Sequence, residues 1–149
     1  MVTPHTEEYL EAILRLACPD NKAEAPCLRP EVDIASLDRK RCHLARPSEI
    51  AELVGVSRPS VTTALQRMEL LGLITRDNKG VRLTDSGFIQ AREVLRRHRV
   101  AERFLVNVLG FDAQSVHDEA CVLEHALSDR IVDALEEYVM HFEDDSSNC

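Results

Sequence analysis

Hydrophobic residues recur at helical spacing through most of this chain of 149 residues. Residues 4–17 carry apolar side chains on one side of a helical projection, which predicts a first helix with Pro4 in its first turn. Residues 18–43 break the pattern with three prolines and mixed charge. This stretch predicts a long loop that holds one helical turn near residues 33–40.

A regular pattern begins after the loop and predicts a winged helix-turn-helix. The segment RPSEIAELVGV predicts a short helix with Ser48 as its cap and Gly55 at its end, and SRPSVTTALQRMELLG predicts a second helix with Ser57 as N-cap. The segment LITRDNKGVRLT alternates apolar and polar residues on both sides of a DNKG turn. It therefore predicts a β-hairpin, the wing, directly after the second helix.

Three further helices are predicted after the wing. The first covers residues 86–107, with Thr84 or Asp85 as its cap, and the others cover residues 113–127 and 128–142. We therefore expect a mainly α protein. Its predicted division is a DNA-binding region at residues 1–85, which includes the loop 18–43, and a helical region at residues 86–149.

The distribution of charge changes what the net charge of −8 implies. Residues 39–103 hold fourteen basic and seven acidic side chains, a local charge of +7, whereas residues 1–38 carry −5 and residues 104–149 carry −10. A basic central segment can approach phosphates although the chain as a whole is acidic. The charge thus favours a nucleic-acid partner for the predicted winged helix.

The second helix of a helix-turn-helix places its first turns against base edges in the major groove. Short hydroxyl side chains and Arg58 allow close approach there, and basic wing side chains reach the DNA backbone. A winged helix that binds other proteins, with a merely solvated basic face, remains an alternative. The predicted DNA-binding residues are Ser57, Arg58, Pro59, Ser60, Thr62, Thr63 and Arg67, with Arg76, Lys79 and Arg82 on the wing.

The segment HDEACVLEHALSD indicates a metal site. At 100° per residue, His117, Cys121, Glu124 and His125 share one narrow stripe of a helix, with Val116, Ala120, Leu123 and Leu127 on the opposite side. Imidazole, thiolate and carboxylate are ligands of divalent transition metals. The alternative is a helix with an ordinary polar surface.

Two other helices also carry ligand-type residues on one face. His98 and Glu102 are spaced i,i+4 in the long helix, and Glu8 and Glu11 are spaced i,i+3 in the first helix. Each pair alone is more typical of a surface ion pair or of a solvated acidic face at a helix start.

The five cysteines, at positions 18, 27, 42, 121 and 149, form no close CxxC pair. The odd count and the absence of a signal peptide favour a cytoplasmic, reducing environment over a disulfide framework. We therefore expect Cys18, Cys27 and Cys42 to be free thiols rather than redox-sensitive groups. No segment approaches the length of a membrane span.

Four segments together resemble the DtxR/MntR family of bacterial metal-dependent transcriptional repressors. They are the helix-turn-helix, the LTDSG segment, RRHRVAERFL and VHDEACVLEHALSD. The resemblance covers residues 3–17 and 44–142, and the chain looks like a short form without the C-terminal SH3-like domain. It implies an N-terminal winged helix-turn-helix followed by an α-helical dimerisation and metal-binding domain. It also implies a homodimer that binds double-stranded operator DNA.

The resemblance further implies two sets of metal ligands. The primary site corresponds to Glu8, Cys121, Glu124 and His125, and the ancillary site of the iron-type branch corresponds to His98, Glu102 and His117. In the manganese-type branch two closer ions share Glu8, Glu11, His98, Cys121, Glu124 and His125, with an acid in place of Cys121.

This chain departs from both branches, because it combines hard carboxylates at Glu8 and Glu11 with a soft thiolate at Cys121. We expect Mn²⁺ in preference to Fe²⁺, with Zn²⁺, Co²⁺ or Ni²⁺ as surrogates. The expected function is a metal-activated repressor of metal-homeostasis genes, not an enzyme. A winged-helix regulator with a purely structural metal and a metal-dependent hydrolase are the alternatives.

Overall fold

The structure, a computed structural model, describes residues 4–18 and 37–147. This part of the chain forms two units, residues 4–18 with 37–94, and residues 95–147. The boundary between the units lies within helix α4, Asp85–Arg103. The predicted division after residue 85 coincides with the start of this helix and stays a prediction.

The first helix of unit 1, α1, runs Pro4–Ala17, as predicted. Its apolar side is fully buried, because Tyr9, Leu10, Ile13 and Leu14 have no exposed surface. After the segment that the structure leaves undescribed, a single 3₁₀ turn spans Arg39–Arg41. The predicted helical turn near residues 33–40 is thus found at its C-terminal end, while residues 33–36 lie outside the described part.

The helix-turn-helix consists of α2, Pro47–Val54, and α3, Arg58–Leu70. Ser57 caps α3 as predicted, since its side chain accepts a hydrogen bond from the Ser60 amide at 3.3 Å. The predicted cap at Ser48 is wrong: the N-cap of α2 is Arg46, two residues earlier, because Pro47 fits the first turn. Gly55 ends α2 at a positive φ of 75°, which a side chain would disfavour.

The wing is a two-stranded antiparallel hairpin of β1, Ile74–Arg76, and β2, Val81–Leu83. Ile74 pairs with Leu83 and Arg76 pairs with Val81, so the connecting turn is the predicted DNKG segment. Ala45 adds a bridge to Val81 through two backbone hydrogen bonds of 2.8 and 2.9 Å. This bridge fixes the segment before α2 on the wing.

Unit 2 contains the C-terminal half of α4, a π-helical turn at Phe104–Val108, α5 at His117–Ala126 and α6 at Asp129–Ser147. Three predicted boundaries are corrected. Helix α6 ends at Ser147 instead of residue 142. The long helix changes to π geometry after Arg103 instead of continuing as an α-helix to residue 107, and α5 begins at residue 117 instead of 113. Residues before α5 form a turn in which the Ser115 and Val116 amides both donate to the Asp112 carbonyl.

The core of unit 2 joins α4 to α5. Ala101 and Leu105 pack with Val116 and Ala120, and the half-buried Leu123 lies against them. Val116, Ala120 and Leu123 belong to the predicted apolar side of α5, so the prediction is confirmed for these three residues. The helices α4 and α6 are also linked by charged side chains, since Arg96 contacts Asp133 and Glu136, and Arg97 contacts Asp129.

The prediction that Cys18 and Cys42 are free thiols is wrong. The structure places these two residues in a disulfide with Cα atoms 4.5 Å apart. The prediction failed because the partners are 24 positions apart, and nothing in the sequence shows that the loop returns to the end of α1. Cys121 is a free thiol, and Cys27 lies outside the described residues.

Among the described residues, no helix combines the length and the apolar character needed to cross a membrane.

Gly87 permits the close packing of α4 on the wing, and its replacement tests this contact. A Cβ atom at this position would lie 1.9 Å from the Leu73 carbonyl oxygen, which accepts the Thr84 amide. We expect Gly87→Ala to lower the free energy of unfolding by about 3 kcal/mol, because backbone must move to relieve the clash. Ser86→Ala, at an exposed neighbour, should change it by less than ~0.5 kcal/mol in the same urea titration. Equal midpoints for the two variants would contradict this account.

Candidate metal centre and nucleic-acid interface

A buried histidine lies between two buried carboxylates in unit 2. His98 Nδ1 is 2.5 Å from Glu124 Oε2, and His98 Nε2 is 2.6 Å from Glu102 Oε1. All three side chains are 1% exposed. Glu102 lies one helical turn from His98 on α4, whereas Glu124 comes from α5, so the imidazole connects the two helices.

Cys121 and His117 on α5 complete the cluster. Cys121 Sγ is 3.5 Å from His117 Nε2 and 3.8 Å from His98 Nδ1, while His117 Nδ1 lies 3.6 Å from Glu102 Oε1. One ligand atom each from His98, His117 and Cys121 falls within 4.8 Å of the other two. An imidazole, a second imidazole and a thiol at this separation can share one metal ion.

The electrostatics of His117 and Cys121 couple the two side chains. The hydrogen bond to Cys121, together with that to Glu102, raises the pKa of His117 to about 9. Burial raises the pKa of the Cys121 thiol, but hydrogen bonds from His117 and His98 outweigh it, and the pKa lies below the usual value. A metal that binds this pair would displace the proton of His117, and the lowered pKa of Cys121 favours loss of the thiol proton to a metal.

The charges of the cluster fit a divalent transition metal. Two carboxylates and a thiol, from Glu102, Glu124 and Cys121, can each carry negative charge in this largely buried site. Buried net charge is unfavourable unless an opposite charge neutralises it. Nitrogen, sulfur and carboxylate oxygen together are a donor set for Mn²⁺, Fe²⁺ or Zn²⁺.

The remaining predicted ligands lie in different surroundings. His125 is half-buried, and its Nε2 is 3.2 Å from Oε1 of the adjacent Glu124. On α1 in unit 1, Glu8 is exposed beside His5, whereas Glu11 is 7% exposed and bonded to Arg15 at 2.5 Å.

The contacts in unit 2 join residues of the two ligand sets that the sequence resemblance implies. Cys121, expected in the primary set, contacts His98 and His117, which are expected in the ancillary set. Glu124 likewise reaches this cluster through its hydrogen bond to His98. Sequence spacing did not reveal these contacts, because they join α4 to α5.

The predicted reading surface of α3 is solvent-exposed in unit 1. Three apolar residues of α3, Val61, Leu65 and Met68, belong to the core and are at most 1% exposed. The opposite side carries hydroxyl and basic groups, and the Thr62 and Thr63 hydroxyls donate to backbone carbonyls one turn earlier at 3.1 Å. The exposed residues are Ser57, Arg58, Pro59, Ser60, Thr62, Thr63 and Arg67.

The wing residues differ in how their charge is used. Lys79 and Arg82 are exposed, but Arg76 donates two hydrogen bonds, of 2.7 and 3.0 Å, to Glu69 on α3. The sequence did not indicate this pair, since the partners belong to different elements. Between α3 and the wing lies a groove of about 670 Å³, which Arg46 and Ser48 at the start of α2 also line. Arg46 is therefore a basic residue at this groove that the sequence reasoning missed.

Comparisons with known proteins agree with this division of the chain. Residues 84–148 match the family described as iron dependent repressor, metal binding and dimerisation domain. Residues 32–91 match the Crp-like helix-turn-helix domain. An HTH-type transcriptional regulator of Methanocaldococcus jannaschii, itself uncharacterised, is 34% identical over 100 residues, which are 66% of this chain and 80% of that protein.

The chain belongs to the DtxR/MntR family. The diphtheria toxin repressor of Corynebacterium diphtheriae is 40% identical to this family member over 85 residues, 56% of this chain and 38% of that protein. A solved manganese-dependent transcriptional repressor in complex with manganese is 34% identical, with a TM-score of 0.66 over 90% of this chain and 52% of that one. The solved regulator MtsR is 30% identical, with a TM-score of 0.70 over 93% and 54%. The chain thus spans about half or less of the length of these longer relatives.

The protonation of His117 predicts how metal affinity of this DtxR/MntR family member depends on pH. Below a pKa of about 9 the imidazole is protonated in the metal-free protein, so a metal that binds there must displace the proton. We expect the apparent Kd for Mn²⁺ to fall by up to roughly tenfold per pH unit between pH 6 and 8, measured by competition with a fluorescent chelator. The affinity thus rises with pH.

Two variants test the assignment of this proton. His117→Ala should make the pH dependence shallower by one proton, whereas His141→Ala, at an exposed histidine of α6, should leave it unchanged. A His117→Ala variant with the slope of the unmodified protein would refute the role of His117.

Proposed function

We propose that this protein is a metal-dependent DNA-binding repressor that senses Mn²⁺ or Fe²⁺ in the cytoplasm and controls metal-homeostasis genes. The observation that carries the proposal is the buried cluster around His98, in the unit that matches a metal-binding and dimerisation domain. The other unit is a winged helix-turn-helix with an exposed polar and basic face. One chain therefore combines a site for a cation with a surface for DNA.

The proposed ligands come from both units. His98, Glu102, His117, Cys121, Glu124 and His125 belong to unit 2, whereas Glu8 and Glu11 belong to α1. A bound divalent ion supplies the positive charge that allows several carboxylates and a thiolate to share one site. In this proposal the bound ion constrains α1, and its loss leaves several carboxylates without a neutralising charge.

The constraint on α1 links metal binding to DNA binding. Helix α1 packs on α2 and α3 in unit 1, so its position affects the reading helix. Linkage requires operator DNA and the metal to strengthen each other's binding by the same factor. In this proposal, metal binding and DNA binding are therefore thermodynamically coupled.

We further propose a homodimer, formed through unit 2. Helix α6 and the segment before α5 expose large apolar side chains, which include Leu109, Phe111, Ile131, Tyr138 and Met140. Such side chains are typical of a protein interface. Leu105 and Val139 are buried within the chain and do not belong to this exposed set. A dimer would present two reading helices at about one helical turn of DNA, ~34 Å, or a multiple of it.

In this proposal α3 reads bases and the wing contacts phosphates. The hydroxyl residues Ser60, Thr62 and Thr63 would approach base edges, with Arg58 near a guanine or a phosphate and Arg67 further along the helix. Lys79 and Arg82 would contact the DNA backbone. Arg76 is bonded to Glu69, so its contact with a phosphate would require that ion pair to open.

Among divalent ions, Mn²⁺ is favoured over Fe²⁺ because Glu8 and Glu11 add hard oxygen donors, and Zn²⁺ is a surrogate. A structural relative of this chain is named as a complex with manganese, and another, ScaR, as structures with Zn²⁺ and Cd²⁺. Glu8, Glu11, Glu102 and Glu124 supply hard oxygen donors, while Cys121 favours softer ions.

Two alternatives make different predictions. If the metal is purely structural, chelation should unfold unit 2. Circular dichroism of the chelated protein would then show a loss of helical signal before any heating. A metal-dependent hydrolase requires a metal-bound water beside a substrate cleft. The relatives are named as transcriptional regulators, which favours repression over hydrolysis.

Removal of one buried carboxylate charge should uncouple metal from DNA. We expect Mn²⁺ to strengthen binding to a duplex, selected from a random library by the Mn²⁺-loaded protein, by roughly 5- to 150-fold relative to chelated protein. Glu124→Gln keeps the shape of the side chain but not its charge, so its Mn²⁺ response should fall below about twofold. Glu119→Gln, an exposed neutralisation on the same helix, should respond like the unmodified protein. Equal binding with Mn²⁺ and with chelator would reject metal activation.

The wing should contribute non-specific charge contacts. Arg82→Ala should weaken binding uniformly across duplex sequences and reduce the slope of log K against log salt concentration by about 0.9 for each lost phosphate contact. Arg76→Ala should reduce the slope less, because its guanidinium is already paired with Glu69. Fluorescence anisotropy titrations between about 50 and 200 mM salt measure the slope for both variants. An unchanged slope in Arg82→Ala would exclude a phosphate contact from this residue.

A further inference from the structure

The disulfide between Cys18 and Cys42 joins two elements of unit 1 that are distant in sequence. Cys18 directly follows α1 and is 2% exposed, whereas Cys42 directly follows the 3₁₀ turn Arg39–Arg41 and is half-buried. A backbone hydrogen bond of 2.7 Å from the His43 amide to the Ala17 carbonyl runs beside it. The C-terminal end of α1 is therefore held by one covalent bond and one adjacent hydrogen bond.

The location of this disulfide is unusual for a DNA-binding protein. Such proteins work where glutathione and thioredoxin keep thiols reduced, and disulfides found there are usually transient and redox-sensing. The two cysteines also have unequal access to solvent, which is needed for ordered exchange. Cys42 is half-buried and is the more accessible of the two, while Cys18 is shielded within the fold.

We propose that Cys18 and Cys42 form a redox modification site that reacts with low-molecular-weight disulfides. The oxidised form fixes the end of α1 to the segment that leads into α2, and the reduced form releases it. Because α1 carries Glu8 and Glu11, the same reaction tunes metal affinity, a consequence that rests on the proposed function.

The reaction is a thiol–disulfide exchange that balances without a further reagent. The Cys42 thiolate attacks a small disulfide and forms a mixed disulfide, and one small thiolate leaves. The Cys18 thiolate then attacks the Cys42 sulfur, and the second small thiolate leaves. In total two protein thiols lose two electrons and two protons, and the small disulfide gains both as two thiols. Reduction by excess small thiol begins at the more accessible Cys42 sulfur.

The reduced form should keep the fold but loosen one end of α1. The fully buried side chains of α1 hold most of the helix without the disulfide; they are Tyr9, Leu10, Ile13 and Leu14. The last turn depends more on the link, since Ala17 and Cys18 are connected to residues 42 and 43. The expected change is therefore local and concerns the residues that follow Leu14.

The test compares both redox states of the full-length, metal-free protein. Equilibration with glutathione and glutathione disulfide, alkylation and peptide mass spectrometry should show a two-electron transition between free thiols and a Cys18–Cys42 disulfide. Hydrogen exchange of amides in residues 15–18 and 42–46 should be at least roughly tenfold slower in the oxidised form. The melting temperature should rise by roughly 5–10 °C on oxidation, as expected for a loop of this length.

Matched variants separate this pair from the other cysteines. In Cys42→Ser the amide hydrogen exchange should match that of the reduced protein under all conditions. In Cys27→Ser it should depend on the redox state as in the unmodified protein. A dominant disulfide to Cys27, or equal hydrogen exchange in the two states of the unmodified protein, would overturn the proposal. The second comparison needs no variant, so it stands if Cys42→Ser fails to fold.

A Mn²⁺ titration in both redox states distinguishes this proposal from the proposed function. At least threefold tighter binding in the oxidised form supports the link between the disulfide and the ligands of α1. If the two forms bind Mn²⁺ equally, that link is refuted although the redox reaction itself stands. If neither form binds Mn²⁺, the proposed function fails, while mass spectrometry and hydrogen exchange still decide the redox reaction.

Discussion

The contact on which unit 2 depends is the imidazole of His98 held between the carboxylates of Glu102 and Glu124. Each of these groups alone would be costly to bury, and the imidazole gives both carboxylates a hydrogen-bond partner. The contact joins α4 to α5 and brings Cys121 and His117 to the same point. The side chains that connect α4 to α5 are therefore the same side chains that we propose as metal ligands.

Most of the local structure could be predicted from the sequence, because it depends on near neighbours. The apolar side of α1, the buried residues of α3 and the cap at Ser57 all follow from helical spacing and from hydrogen bonds that span three or four residues. The hairpin of the wing follows from alternation around the DNKG turn. At Ser48 the same reasoning failed, because two adjacent residues competed and Pro47 fitted the first turn of the helix better than Ser48 fitted the cap.

The features that could not be predicted all join parts of the chain that are remote in sequence or depend on packing. The Arg76–Glu69 ion pair connects the wing to α3, and Cys18 pairs with a residue 24 positions away. Helical spacing placed four ligand-type residues on one side of α5, but it could not show that Cys121 would meet His98 of α4. The π turn at Phe104–Val108 departs from the α-helix without any proline or glycine within it.

The link between Cys18 and Cys42 also bears on how the intervening segment can evolve. The disulfide fixes the Cα atoms of Cys18 and Cys42 4.5 Å apart, whatever the length of the chain between them. Lengthening a loop whose ends are fixed adds little entropic cost, about 0.6 kcal/mol for each doubling. Insertions and deletions between the two cysteines should therefore leave the packing of α1 against α2 and α3 in place. The length of the chain between the two cysteines can thus change in evolution independently of the helix-turn-helix.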